Sequence, residues 1–186
     1  MIAPLTLSCE KIAAALPEEK WNLPRWYAVY TKGRHEKAFE RELRKKRIET
    51  FLPVRRVVRH WSDRKKLIEE PLFKSYLFVR TPWKDRLSVL NTHGAVCFVT
   101  TGLSHDPIEV PERELQTIRT FMEQKLDIDP FPYLKEGERV YIKSGPFKGA
   151  EGFIVRKDKH CRLVISLDML MQSVSITVDE ALIEKV

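Results

Sequence analysis

The stretch "EEPLFKSYLFVRT", residues 69–81, decides how the chain folds, because it is apolar enough for a core strand but carries aromatic residues on both strand phases. Phe73 lies on one phase, and Tyr76 and Phe78 lie on the other. A sheet with one solvated face carries its large apolar side chains on one phase only. The strand is therefore predicted to break, near the proline or at Lys74–Ser75, and its second face needs a cover.

The segments around this stretch predict a small α+β domain over residues 25–126. The run 25–31 is rich in β-branched and aromatic residues, which is typical of a strand. An amphipathic helix follows it, and residues 112–126 repeat apolar side chains at helical spacing. The predicted element order is β-α-β-β-α-β-α, which indicates a sheet with helices packed on it.

The two ends of the chain differ from this domain. Residues 1–24 predict a flexible or partly helical leader rather than a signal peptide, because they lack a basic start and charges interrupt the apolar run. The segment "DIDPFPY" has two prolines and predicts a semi-rigid linker over residues 127–134. Residues 135–186 carry short strands separated by turn signals, which predicts a small five-stranded, all-β barrel.

Composition narrows the class of protein. A net charge of +7 and a pI near 9.3 favour polyanionic partners. Cys9, Cys97 and Cys161 are too few and too far apart for a disulfide framework, which fits a reducing cytoplasm. No apolar run reaches the roughly 20 residues that a membrane-spanning helix needs.

Signatures of catalysis are missing from the sequence. None of the five histidines pairs with Cys, Asp or Glu at a metal-ligand spacing. The sequence also lacks a glycine-rich phosphate loop and a nucleophile motif such as G-x-S-x-G. We therefore predict a protein that is not an enzyme and that holds no metal or cofactor.

Four motifs resemble one known family. The run "GERVYIKSGPFKGAEGFIV" resembles the KOW motif, in which Gly152 lets a neighbouring strand approach closely. The runs "WYAVYTK", "FLPV" and "EPLFKSYLFV" resemble the NGN domain of the NusG family. An NGN domain followed by a KOW domain is that family's layout, and the resemblance covers residues 26–186. It implies an antiparallel NGN sheet flanked by helices, joined by the linker to a KOW barrel of the SH3-like type.

Within the family, the sequence and spacing of these motifs are most similar to those of the specialised paralogues of the RfaH and UpxY kind. The run "EPLFKSYLFV" is close to the RfaH form, and the Phe-Gly-Arg turn of housekeeping NusG is missing from "VISLDMLMQSVSI". The sequence also departs from RfaH, because Asp85, Arg86 and Leu87 stand where RfaH has a short polar motif that touches the other side of the polymerase cleft.

The resemblance assigns a polymerase-binding surface to three aromatic residues, Tyr30, Phe73 and Tyr76. In the family, this apolar surface grips the clamp helices of the largest subunit of bacterial RNA polymerase. Rigid aromatic side chains suit such a contact. From the residues alone, Phe73 and Tyr76 could instead be core, and Trp26, Tyr27 and Phe98 are predicted to be core. Leu77 and Val79 are expected to face the domain's own helices.

A second surface is assigned to nucleic acid. The resemblance implies contact with the exposed non-template DNA strand at the residues that match the basic positions of RfaH-like proteins: Lys32, Lys45, Lys46 and His93. Arg34 and His35 belong to the same basic cluster and are assigned to this surface with them. A solvated face is the alternative for any run of charges. Gly33 and Glu42 replace polar or basic contacts of RfaH, so its target sequence does not carry over. The basic hairpin around Trp61 is either an upstream-DNA contact or a solvated tip.

The KOW domain is predicted to be an interaction surface. In the family it binds the ribosomal protein NusE or the termination factor Rho. The residues assigned to that surface are apolar ones in two loops: Phe147, Leu167, Met169, Leu170 and Met171. Strand alternation would place half of the second group in the local core.

Taken together, these features predict a monomeric, cytoplasmic transcription elongation factor, specialised as an antiterminator. Two alternatives remain: a housekeeping NusG that assists Rho-dependent termination, and a ribosome-associated KOW protein that binds RNA.

Overall fold

The strand Arg25–Thr31 (β1) forms the centre of an antiparallel sheet in the computed structural model. The structure describes residues 21–60, 65–101, 106–123, 128–131, 137–144, 148–157, 160–167, 170–178 and 183–185. In this N-terminal sheet the strand order is β2-β5-β1-β6. Its other strands are β2 (Glu49–Phe51), β5 (Tyr76–Thr81) and β6 (Ala95–Phe98).

Helices cover both faces of the N-terminal sheet. They are α1 (Glu36–Lys45), α2 (Arg86–Leu90), which follows a 3-10 turn at Trp83–Asp85, and α3 (Glu112–Glu123). Leu77 and Val79 are buried in one cluster together with side chains of α1 and α2, as predicted. The opposite face, with Trp26 and Phe78, packs in the cluster that contains the apolar side of α3. Strand alternation therefore separates two cores across one sheet.

The predicted break at Lys74–Ser75 is confirmed. Strand β4 (Lys65–Pro71) ends before it and β5 begins after it, so the apolar stretch is two strands rather than one. Ser75 has a φ of +63°, in the left-handed region that non-glycine residues adopt only when the surroundings hold them there. Its carbonyl oxygen accepts a hydrogen bond from the Thr31 amide at 2.8 Å. Thus β1 holds the break in place.

A two-stranded ribbon projects from this sheet. It pairs β3 (Val54–His60) with β4 in antiparallel register, from Val54 opposite Pro71 to His60 opposite Lys65. Another short pair joins β7 (Thr100–Thr101) to β8 (Asp106–Pro107). The ribbon forms no ladder with the N-terminal sheet in the described part of the chain.

The C-terminal sheet has the strand order β14-β10-β11-β12-β13-β9. The five strands expected for the C-terminal domain are present: β10 (Glu138–Ile142), β11 (Glu151–Lys157), β12 (His160–Leu167), β13 (Gln172–Val178) and β14 (Ile183–Lys185). Gly152 acts as expected, because a Cβ placed on it would lie 2.5 Å from the carbonyl oxygen of Val164 on β12. The chain at this point has no room for a side chain.

The linker prediction needs a correction. Asp129–Phe131 (β9), inside the segment expected to be a semi-rigid linker, adds to the edge of the C-terminal sheet by pairing with β13. Pro130 lies opposite Val174. A proline lacks an amide donor, but an edge strand tolerates this because one side of it needs no ladder partner.

The end of the predicted leader is also in contact with the fold. Trp21 is half-buried against the cluster that contains α1 and α2. The guanidinium carbon of Arg86 lies 5.0 Å from the centre of the Trp21 ring and 5.7 Å from that of Trp83. Stacking between two indole rings accounts for the burial of this arginine. Residues 1–20 of the leader lie outside the described residues.

Candidate functional site

Tyr30 and Tyr76 form an aromatic pair at the open end of the N-terminal sheet. They are cross-strand partners of β1 and β5, and their ring centres lie 5.3 Å apart in an edge-to-face arrangement. Tyr30 is 41% exposed and Tyr76 is half-buried. Burial raises the pKa of Tyr76, and the neighbouring Tyr30 and Cys97 raise it further, so its hydroxyl stays a neutral donor. Both rings can offer apolar surface and a hydroxyl to a partner.

Phe73 does not share this exposure. It is 1% exposed and meets Phe78 edge-on, with ring centres 5.8 Å apart. The cluster that buries it includes side chains of α3 and of the C-terminal sheet. Of the three residues assigned to the polymerase surface, Phe73 therefore lies in the core of this conformation, while Tyr30 and Tyr76 lie at the surface. The two-phase pattern of the sequence has its physical cause here, because Phe73 packs inward before the turn at Lys74–Ser75 and Tyr76 lies at the surface directly after it.

The aromatic residues predicted to be core are buried. Trp26, Tyr27 and Phe98 have almost no exposed surface. The hydroxyl of Tyr27 has no hydrogen-bond partner among the described residues. Burial, with the nearby Glu109 carboxylate as a second cause, raises the pKa of Tyr27 to about 12. This tyrosine therefore serves packing and is not available to a partner.

Four of the residues assigned to nucleic acid come together where β1 meets α1. The Lys32 amide donates a hydrogen bond to the Gly94 carbonyl oxygen at 2.9 Å, which joins this loop to the one that carries His93. The imidazole rings of His35 and His93 have their centres 5.5 Å apart. Lys32 and Arg34 are exposed beside them. Two ring faces flanked by cations are what stacking and phosphate contacts use.

Gly94 makes this close approach of the two loops feasible. It has a φ of +102°, and a Cβ placed on it would lie 3.1 Å from the Cβ of Phe39 on α1. A side chain at this position would be strained in its backbone and crowded at the same time. Gly94 directly follows His93, so the same residue fixes the backbone next to that ring.

Lys45 and Lys46 lie at the other end of α1 and have different surroundings. The ammonium group of Lys45 is 2.7 Å from the Glu42 carboxylate, and this hydrogen bond is the main cause that lowers the pKa of Glu42. The ammonium group of Lys46 donates to the Ser88 carbonyl oxygen at 2.9 Å and to the Thr92 hydroxyl at 2.7 Å. Neither contact of Lys46 was foreseen from the sequence, because both partners lie more than forty positions away.

The charges of the ribbon divide along its length. Near its base, Arg55 lies 3.8 Å from Glu70, and Glu69 lies 3.2 Å from Lys37 of α1. Towards the tip, His60 and Lys65 face each other and are exposed. The predicted contact around Trp61 falls outside the described residues. The described part of the ribbon is therefore neutralised at its base and basic at its outer end.

The surface assigned to the C-terminal domain needs a correction. Leu167, at the end of β12 opposite Gln172, and Leu170, in the turn before β13, are both buried in the core. Met171 is 65% exposed and has a φ of +50° in the turn before β13. Phe147 and Met169 lie outside the described residues. Among the members of this set that the structure describes, Met171 is the surface residue.

Other kinds of site have no support in the described ranges. No group of three or more His, Cys, Asp or Glu side chains in these ranges could hold a metal ion. No helix found there combines the length and the apolar character that crossing a bilayer requires. The features that stand out are thus the tyrosine pair and the basic loops beside it.

Comparison with known proteins gives consistent results. The family model "Transcription termination factor nusG" matches residues 24–119. Two similar proteins are both named "Transcription termination/antitermination protein NusG". The one from Borreliella burgdorferi is 26% identical, covering 87% of this chain and 98% of its own length, and the one from Staphylococcus aureus is 28% identical, covering 90% and 98%.

A similar solved structure is described as "Domain interaction in Thermotoga maritima NusG". It superposes with a TM-score of 0.52 at 23% identity and covers 88% of this chain and 97% of its own. At this identity the likeness supports the fold alone.

Proposed function

The chain belongs to the NusG family of transcription factors, and from this premise we propose that it is an elongation factor that binds RNA polymerase through the Tyr30–Tyr76 pair. The partner on the polymerase would be the clamp helices of the largest subunit. The proposal requires no bond chemistry, because the factor acts by contact and tethering.

The observation that carries the proposal is the exposed aromatic pair itself. Tyr30 and Tyr76 lie on neighbouring strands, so the sheet fixes their backbones, and the edge-to-face contact restricts their rings. Preorganised aromatic side chains lose little entropy on binding, which is why they are frequent in the energetic centres of interfaces. Exposed Val96 and Cys97 on the edge strand β6 extend the apolar surface beside Tyr30.

The basic loops are proposed to contact single-stranded DNA next to the polymerase. Lys32 and Arg34 supply cations, and His35 and His93 supply ring faces. Tyr30 and Lys32 are separated by one residue of β1, so a polymerase bound at the tyrosine pair would bring its exposed non-template strand to the same side of the domain. Lys45, at the other end of α1, would supply a further cation.

The finer role that we propose is antitermination. The N-terminal domain (residues 25–126) would hold the polymerase in its elongating state, and the C-terminal domain (135–186) would recruit the ribosomal protein NusE or another factor through the turn with Met171. Residues 127–134 would connect the two. The missing Phe-Gly-Arg turn supports a weak contact with Rho, which suits an antiterminator.

A second function, assistance of Rho-dependent termination, is favoured by the names of the similar proteins. Both are called termination/antitermination proteins. The two functions differ in outcome on a template with a Rho-dependent terminator: an antiterminator increases read-through, and a housekeeping factor increases Rho-dependent release. A purely ribosomal role, the third alternative, predicts that the protein changes neither read-through nor Rho-dependent release on this template.

The decisive experiment is a pull-down of bacterial RNA polymerase core enzyme with the full chain. Tyr30→Ser together with Tyr76→Ser is expected to reduce polymerase retention at least ten-fold, because the double change removes both rings from the surface. Phe73 is left intact, since it is buried and its loss would destabilise the core. Retention at the wild-type level in the double variant would contradict the proposal.

A matched control comes from the ribbon. Val58 and Leu67 are cross-strand partners there, 52% and 59% exposed, so they present an apolar pair of similar accessibility. Val58→Ser with Leu67→Ser removes an equal number of exposed apolar side chains. This control is expected to retain the polymerase, and an equal loss in both double variants would mean that nonspecific apolar contact explains the binding.

A further inference from the structure

The ammonium group of Lys46 makes its hydrogen bonds inside the N-terminal domain. It donates to the carbonyl oxygen of Ser88 and to the hydroxyl oxygen of Thr92, and the Thr92 hydroxyl donates in turn to the same Ser88 oxygen at 2.8 Å. Three groups thus close a ring of hydrogen bonds. Thr92 is buried and Lys46 is exposed, so this ring links the surface at the end of α1 to the buried start of the loop that follows α2.

The ring satisfies the end of a short helix. α2 spans Arg86–Leu90, and carbonyl groups in the last turn of a helix have no partner within the helix. A cation placed there also interacts favourably with the negative end of the helix dipole. Lys46, at the end of a different helix, supplies both the donor and the charge.

The C-terminal cap of α1 directs Lys46 towards α2. The Ile48 amide donates to the Leu43 carbonyl oxygen at 3.1 Å, and Arg47 has a φ of +59°. This is the hydrogen-bonding pattern of a helix terminated by a left-handed residue. Leu43 is buried, so the last turn of α1, and with it Lys46, has a fixed direction.

The loop that this ring anchors carries His93. Thr92 comes directly before it, and Gly94 directly after it accepts the hydrogen bond from the Lys32 amide. The backbone around His93 is therefore held from two sides, by Lys46 through Thr92 and by Lys32 through Gly94. Its position against His35 depends on both connections.

Lys45 differs from its neighbour Lys46 in its contacts, because it forms an ion pair within its own helix and Lys46 bonds to a distant loop. The Lys45 side chain is 65% exposed, and its partner among the described residues is Glu42 on the same helix surface. Solvent screens such an exposed pair, so Lys45 can exchange Glu42 for a phosphate. The sequence assigned the same role to both lysines, and the structure separates them.

We infer that Lys46 is a positioning residue, which orders the His93 loop for contact with nucleic acid and does not itself neutralise a phosphate. The inference rests on the proposed function, in which this surface binds single-stranded DNA. Lys45, in contrast, remains a candidate phosphate ligand.

The salt dependence of binding separates the two roles. Each phosphate contact contributes about 0.7 to the slope of log K against log salt for single-stranded nucleic acid. The full chain and four variants are titrated with a labelled single-stranded DNA over a series of salt concentrations: Lys45→Met, Lys46→Met, Thr92→Val and the Lys46–Thr92 double variant. Thr92→Val is informative because it breaks the ring without changing any charge.

We expect Lys45→Met to reduce the slope by about 0.7. Lys46→Met and Thr92→Val are each expected to weaken binding several-fold at the wild-type slope, and the double variant is expected to bind no more weakly than either single one. All titrations are made well below the melting temperature of the least stable variant. A slope reduced by Lys46→Met, with Thr92→Val binding like the wild type, would overturn the inference.

A measurement without DNA keeps the inference separate from the proposed function. The NMR signals of the His93 ring are expected to shift and broaden in both Lys46→Met and Thr92→Val, and to stay unchanged in Lys45→Met. Unchanged His93 signals in the first two variants would overturn the positioning role. A wild-type chain that binds no DNA would instead overturn the proposed DNA contact, and the NMR result would still decide whether Lys46 orders the loop.

Discussion

The backbone amide of Ser75 donates a hydrogen bond to the Glu36 carboxylate, with 2.8 Å between the nitrogen and Oε1. Glu36 is buried in the first turn of α1, and Ser75 is the left-handed residue at the break before β5. The bond thus ties the helix that carries the basic loop to the strand that carries Tyr76. One carboxylate fixes the relative position of the two proposed surfaces.

Removal of this carboxylate is expected to destabilise the fold. Glu36→Ala leaves the Ser75 amide without its acceptor and should lower the free energy of unfolding by about 1–3 kcal/mol. Glu36→Gln keeps an oxygen acceptor and should lose less. Urea denaturation of the full chain measures both. Ser75→Gly is the control, because it keeps the amide and suits a positive φ, and a Glu36→Ala variant as stable as the wild type would show that the bond carries no stability.

Phe73 and Tyr30 are expected to respond differently to truncation. Phe73→Ala removes a fully buried ring and should lower the free energy of unfolding by about 3–5 kcal/mol. Tyr30→Ala acts on an exposed side chain and should cost below about 1 kcal/mol. Thermal or urea unfolding separates them. If Phe73→Ala is nearly neutral, this side chain is exposed in solution and could reach a partner directly.

Tyr27→Phe is expected to change both stability and its pH dependence. The Tyr27 hydroxyl is buried without a partner among the described residues, so its removal should raise the free energy of unfolding by about 1 kcal/mol near neutral pH. The pKa of about 12 in the folded chain lies above the usual value of 10.0, so the folded state holds this proton more tightly than the unfolded state. This tighter proton binding contributes fully to the free energy of unfolding below pH 10, and the contribution is lost as the pH rises towards 12.

The measurement is the free energy of unfolding at pH values below, within and above this window. The wild type should lose more stability across the window than Tyr27→Phe does. Tyr30→Phe, at an exposed position, controls for the general effect of alkaline pH. Parallel curves for the wild type and Tyr27→Phe would mean that Tyr27 ionises as freely in the folded chain as in the unfolded one.

Three glycines provide a graded series of alanine substitutions. Gly152→Ala should destabilise by about 1–3 kcal/mol or more, because the new methyl group meets a backbone oxygen that belongs to a paired strand. Gly149→Ala has free space but a φ of +87°, so it should cost about 1–2 kcal/mol. Gly33→Ala has neither constraint and should be neutral or slightly stabilising. Thermal unfolding gives the order, and equal stability of all three variants would contradict the close packing of β11 on β12.

Local sequence patterns predicted most of the elements of the N-terminal domain. Aromatic residues on two phases required a break, and the structure has it at Ser75. Alternation along β5 also assigned Leu77 and Val79 to one face, which the structure shows to be the face that α1 and α2 cover. These predictions succeeded because strand periodicity and turn chemistry act over a few residues.

The features that the sequence did not reveal depend on contacts between distant segments. Nothing in the run around Lys46 indicates that its partners are Ser88 and Thr92. For Phe73 the residues alone allowed a core position, and the family resemblance assigned it to the surface instead. The prolines near residue 130 suggested an independent linker, since the pattern of a three-residue edge strand is too short to recognise. Tertiary packing decided each of these points.

The pairing of β9 with β13 sets how far the two halves of the protein can separate. With β9 in place, the chain from the end of α3 at Glu123 to Asp129 reaches about 20 Å at full extension. If β9 left the sheet, the free tether would run from Glu123 to Glu138 and reach about 50 Å. If the core shared by the two sheets opened, the pairing of residues 129–131 would therefore decide whether the C-terminal sheet stays within about 20 Å of α3 or ranges over more than twice that distance.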